Sequence, residues 1–138
     1  MKRHTLVLYC TFPRASLPPV RCGLFEISED HIEKYQSLDA RFIRNRSATF
    51  FFRAQGDSMN PLILENDILI VDRSIASFHK RIVVVSFDGE MYCKRLWQLE
   101  EQIILRSLNP NYKDICVNPQ QTPLDIFGVV IAIARDIL

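Results

Sequence analysis

From residue 48 onward the chain alternates hydrophobic and polar or paired positions with a period of two. Ala48, Phe50, Phe52 and Ala54 interleave with Thr49, Phe51, Arg53 and Gln55, the spacing that sends successive side chains of an extended strand to opposite faces. Runs at residues 68–71, 82–87, 103–105 and 126–133 are rich in β-branched side chains and also predict strands. Asp88-Gly89 stands between residues 82–87 and a further strand at 91–97. Asp-Gly accepts the positive φ angles of a two-residue hairpin turn, so these two strands are expected to pair. Short strands at close spacing with few helices predict a mostly β domain over residues 47–138, a small folded-over or barrel-like sheet.

The pattern upstream is different. Pro13, Pro18 and Pro19 interrupt the first twenty residues, which predicts an extended arm over residues 1–22 without a core of its own. Residues 23–46 read as a linker or arm remnant. Within it a short amphipathic helix is expected from Ser28, with Ser28 as N-cap, Glu29 and Asp30 in the first turn, and Ile32 and Tyr35 on one side.

Composition narrows the functional classes. At 138 residues, 48% hydrophobic and 24% charged, one core suffices for stability without disulfides or a metal. The net charge of +1 is unevenly spread. Residues 1–22 hold Lys2, Arg3, Arg14 and Arg21 and no acid, whereas the remainder has 13 basic side chains against 16 acidic ones, a net −3. A slightly acidic body argues against gripping nucleic acid through its phosphates, so direct sequence-specific DNA binding is not expected. Cys10, Cys22, Cys93 and Cys116 form no CxxC pair, and His4, His31 and His79 lie far apart. No metal, cofactor or disulfide framework is expected, and a reduced, cytoplasmic setting fits. Lys2 and Arg3 precede the apolar residues 5–12, but that run ends at Pro13-Arg14 without a small-x-small site, and the next longest apolar run covers only residues 127–134. Neither a signal peptide nor a membrane span is expected.

Two positions could carry chemistry. Ser58, in Gly56-Asp57-Ser58-Met59-Asn60-Pro61, comes directly after the strand of residues 48–55. A serine just past a strand end, beside a glycine free to take an unusual backbone angle, can project its hydroxyl while nearby N–H groups, those of Ser58 and Met59, form an oxyanion hole. Lys94 shares a strand face with Tyr92 and Leu96. Burial there would disfavour its ammonium form and make the free amine available as a base, the serine–lysine variant of triad logic. On the residues alone two plainer readings stay open: Gly-Asp-Ser is ordinary turn composition, and Lys94 can snorkel from a sheet edge.

Five blocks weigh on that choice. Ser47-Ala48-Thr49-Phe50, Gly56-Asp57-Ser58-Met59, Asp67-Ile68-Leu69-Ile70-Val71-Asp72, Asp88-Gly89-Glu90 leading to Lys94-Arg95-Leu96, and Leu124-Asp125-Ile126-Phe127-Gly128-Val129-Val130 succeed one another to the C-terminus, with Ser58 and Lys94 36 residues apart. In content and order they resemble the self-cleaving family of LexA-type repressors and UmuD-type mutagenesis proteins. The resemblance implies a LexA-like peptidase domain with Ser58 as nucleophile and Lys94 as general base. It places the cleaved bond at Cys22-Gly23, the only Cys-Gly dipeptide. It further implies a cytoplasmic homodimer of the SOS response, cleaved under stimulation by RecA nucleoprotein filaments. The product would then serve a UmuC-type Y-family polymerase in error-prone translesion synthesis. With 22 residues before the scissile bond, the likeness is to the UmuD type, since the repressors carry a DNA-binding helical domain there. Two rival readings remain: a non-catalytic polymerase- or RecA-binding module with a vestigial dyad, and a signal-peptidase-like enzyme, whose Ser-Met-x-Pro resembles Ser58-Met59-Asn60-Pro61 but which would need an anchor. Four departures from the family pattern stand out, the first being a spacing between Ser58 and Asp67 about one residue shorter than in UmuD-type proteins. Asn66 replaces a common glycine, His79-Lys80-Arg81 replaces a common His-Gly-Asp, and residues 24–35 are acidic and helix-like.

Overall fold

The computed structural model describes residues 37–138; the arm, Cys22, Gly23 and the helix expected from Ser28 lie outside the described residues. The chain divides into two compact units, Met1–Arg44 and Asn45–Leu138. In the described part of the first, α1 (Leu38–Phe42) begins at Ser37, whose hydroxyl accepts from the Ala40 N–H at 3.4 Å, and ends where Ile43 turns extended. A cap at one end and an extended residue at the other confine it to a little over one turn.

In the second unit a single 3-10 turn at Arg46–Ala48 leads into seven strands: β1 (Thr49–Arg53), β2 (Ile68–Asp72), β3 (Ile82–Phe87), β4 (Glu90–Leu99), β5 (Gln102–Arg106), β6 (Ile115–Val117) and β7 (Leu124–Ala134). They form one sheet in the order β1-β2-β7-β3-β4-β5-β6, every pairing antiparallel. The mostly β expectation is borne out, and the predicted strand ends lie no more than two residues from those observed. β6 is absent from the sequence pattern, because Ile115-Cys116-Val117 is too short to show a period. Asp88-Gly89 makes the expected hairpin: Phe87 pairs with Glu90, and the two turn residues take φ of 51° and 79°.

The sheet packs on both faces. Val83 and Val85 enter one core with Leu96, Leu105, Val117 and Val129, while Val84 between them enters a second core with Met59, Ile63, Leu69 and Val71. A central strand covered on both sides needs a continuous apolar run in place of alternation, and Ile82-Val83-Val84-Val85 is one. Near the end of β7, Asp67 lies fully buried in the turn before β2. It accepts from the Leu64 N–H at 2.8 Å and is bridged by the Arg135 guanidinium at 2.5 and 2.6 Å. That guanidinium holds the Asp67 carboxyl below its ordinary value, against the opposing effect of burial. Among the described residues no helix is long and apolar enough to cross a membrane.

Candidate active site

After β1 the chain continues to pair with the turn before β2, Ala54 N–H to Asp67 O and Asn66 N–H to Ala54 O, both at 2.8 Å. Asn66 accepts the left-handed conformation (φ 71°) that the turn requires. Gly56 (φ 79°) then swings the chain out, and Met59 and Ile63 drop into the second core and anchor the 57–63 turn to the sheet. Ile63 N–H donates to Met59 O at 3.0 Å and Asn60 N–H to Asp57 O at 3.1 Å. Ser58 therefore sits half-buried on a turn fixed from below by apolar packing. Among the described residues no backbone acceptor takes the Ser58 or Met59 N–H groups.

Lys94 approaches from the other side. Alternation along β4 turns Tyr92, Lys94 and Leu96 to one face, and Lys94 is 6% exposed. Burial of this kind excludes the snorkelling alternative. The amine donates to Ser107 Oγ at 2.7 Å and lies 5.5 Å from the Tyr112 ring centroid and 6.0 Å from that of Tyr92. Desolvation holds the Lys94 pKa below the ordinary lysine value. A thiolate at Cys93 would oppose this, but burial pushes that thiol up to about 12, so it is neutral near pH 7 and exerts no such pull.

Ser58 and Lys94 line one cavity of about 380 Å³, together with Gly56, Met59, Tyr92 and Cys93. The sheet explains how it opens. β4 pairs with β3 along residues 90–95 but with β5 only along residues 95–99, so among the described residues the main chain of residues 91–94 has a strand on one side only. Three residues that sequence reasoning missed complete the site. Asn109 Nδ2 donates to Asp57 O and the Asn109 N–H to Ser58 O, each at 3.0 Å, while the Tyr112 hydroxyl donates to the Asp57 carboxylate. Together with Ser107 these belong to the loop after β5. Asn109-Pro110-Asn111 signals a turn in the sequence, but nothing local says which strand end the turn meets. The described residues contain no cluster of three or more His, Cys, Asp or Glu side chains able to hold a metal.

The sequence as a whole matches a known family. The profile of peptidase S24-like proteins covers residues 17–131. The chain belongs to the peptidase S24-like family. This is a family of self-cleaving serine peptidases. The S24-like chain is 37% identical over 117 residues to LexA repressor 1 of Geobacter sulfurreducens, covering 84% of the chain and 57% of that repressor. It is 41% identical over 115 residues to protein SamA of Salmonella typhimurium, 81% of the chain and 79% of SamA. To protein MucA of Escherichia coli it is 31% identical over 128 residues, 92% of the chain and 82% of MucA. The chain thus spans little more than half the length of the LexA repressor it matches, and most of the UmuD-like SamA and MucA. The expected place within the LexA and UmuD group of S24-like proteins is borne out.

Proposed function

We propose that this protein is a UmuD-type self-cleaving serine peptidase of the SOS response, with Ser58 as nucleophile and Lys94 as general base. The observation that carries the reading is the shared cavity, which is lined by both Ser58 and the desolvated Lys94. Ser58 Oγ attacks the Cys22 carbonyl carbon as neutral Lys94 Nζ takes the hydroxyl proton. The Ser58 and Met59 N–H groups receive the negative charge that develops on the carbonyl oxygen. Collapse breaks the Cys22-Gly23 bond, the Lys94 proton passes to the departing Gly23 amine, and water then hydrolyses the acyl-serine with Lys94 again as base.

The half-open edge of β4 supports the docking this requires. Residues 20–25 would add as a strand along residues 91–94, gaining main-chain hydrogen bonds and bringing the scissile carbonyl beside Ser58. RecA filaments would act by favouring this docked conformer, a shift in an existing equilibrium. The shortened product, as a homodimer, would then join a UmuC-type translesion polymerase. Self-association would use surfaces that include the C-terminal strand β7, where Ile133 is exposed, as is Ile137 beyond it.

The test is to incubate purified full-length chain with and without RecA filaments and weigh the products. A fragment beginning at Gly23, formed by wild type and lost in Ser58→Ala and in Lys94→Ala, is the expected result. The same fragment from pure Ser58→Ala would refute the mechanism. An intact wild-type chain that binds the filament would favour a binding module instead.

A further inference from the structure

The bond from Lys94 Nζ to Ser107 Oγ is the feature that the dyad alone leaves unexplained. Both side chains are buried, at 6% and 7% exposure, and the bond is short at 2.7 Å. Its origin is the strand register. Arg95 faces Arg106 across β4 and β5, so one residue further on position 107 falls opposite position 94 and both side chains leave on the same face. The chain then turns away from β4, and two residues later the Asn109 N–H holds Ser58 O. One short stretch therefore touches both the group read as base and the turn that bears the nucleophile.

The chemistry of a hydroxyl suits this place. A carboxylate would clamp the ammonium and oppose its deprotonation, while an apolar side chain would leave a neutral amine free to rotate. A hydroxyl accepts one N–H whether Lys94 is charged or neutral. It thereby keeps the remaining directions of the nitrogen, including the lone pair of the neutral form, on the side that opens to the cavity. The titratable or charged groups around this pair are Tyr92 and Cys93 of β4, Tyr112 with its partner Asp57, and Arg53 across the cavity. The Asp57 carboxylate is engaged by Tyr112, and Ser107 is the hydrogen-bond acceptor of the amine among the described residues.

We propose that Ser107 is a positioning residue, which orients the Lys94 amine toward the cavity it shares with Ser58, while Asn109 in the same loop fixes the Ser58 turn. The inference rests on the serine–lysine reading of the site and adds a third side chain to it.

Two measurements on the full chain separate the possibilities. The first is the plateau rate of self-cleavage at alkaline pH for wild type, Ser107→Ala and Ser107→Thr, each shown to be folded by its melting transition. Ser107→Ala is expected to cleave about tenfold more slowly, since a freely rotating amine is rarely aligned, and Ser107→Thr to recover most of the loss. The second is the nitrogen-15 NMR titration of Lys94 Nζ in a Ser58→Ala background. Removing an acceptor that favours the ammonium should move its midpoint to lower pH in Ser107→Ala and leave it near the parent value in Ser107→Thr. Equal plateau rates for wild type and Ser107→Ala overturn the proposal. Should wild type not cleave at all, the dyad reading fails by itself, and the titration alone decides whether Ser107 holds the amine: an unmoved midpoint says it does not.

Discussion

Removing water from an ammonium group costs free energy that the neutral amine does not incur, and Lys94, buried beside aromatic rings and a neutral thiol, carries part of that cost. This cost sets the sign of the pH dependence. Below the Lys94 pKa the free-amine fraction rises close to tenfold per pH unit, so the rate of spontaneous cleavage is expected to rise by the same factor and level off at the pKa. Because that pKa is held below the ordinary lysine value of 10.5, the plateau should arrive before pH 10.5. Cleavage rates from pH 7 upward on folded protein test this, and a flat profile would exclude a base that starts protonated. Gly23→Glu should stop processing with both reactive groups intact, because a charged side chain crowds the carbonyl under attack. A fully processed Gly23→Glu chain, seen by mass, would place the cut elsewhere. At this scale the sequence is informative where chemistry is local. Gly56 beside Ser58 and the Tyr92, Lys94, Leu96 alternation can be read within a few residues. Ser107 cannot, because its contact exists only through the pairing of Arg95 with Arg106.

Strands are legible in proportion to their length and their two-residue turns. Residues 82–87 stand out with the observed bounds because Asp88-Gly89 closes the hairpin on one side, whereas β6, three residues long, carries no signal. The order β1-β2-β7-β3 is not legible at all, since nothing local in the sequence says that the last strand inserts between the second and third. That insertion makes a demand at Gly128. A Cβ there would stand 2.8 Å from Val71 Cγ1 and 2.9 Å from the Asp72 carbonyl oxygen, closer than packed atoms tolerate. Gly128→Ala is therefore expected to destabilise the domain by about 1–3 kcal/mol, the usual cost of overpacking. Chemical denaturation should show a lower midpoint at similar slope, and an unchanged midpoint would mean that β2 and β7 separate without cost. Lys80 shows a left-handed position held by a residue other than glycine: it takes φ 64° with its amine 5.5 Å from the Trp97 ring centroid.

For the molecule as a whole, the buried Asp67 ties the turn before β2 to Arg135 beyond the end of β7, and its carboxyl pKa is depressed by that guanidinium. A depressed carboxylate contributes stability that is fully present above its unfolded value, near 3.8, and is lost as pH falls through the lower folded value. Asp67→Asn should accordingly be less stable than wild type at neutral pH, and the difference should narrow below about pH 4. Denaturation midpoints at pH 7 and pH 3 measure this; a gap that widens in acid would contradict it. The position of β3 has a consequence of another kind. Its backbone is paired with β4 on one side and β7 on the other, and its side chains fill both cores, so small local openings are not expected to bare it to solvent. In deuterated water the Val83, Val84 and Val85 amides should therefore keep their protons until the entire domain unfolds, while those of β1 at the margin of the sheet exchange through small openings. The slowest of these exchange rates would then report the global stability of the domain without any denaturant, and the protein would carry its own gauge in the middle of the sheet.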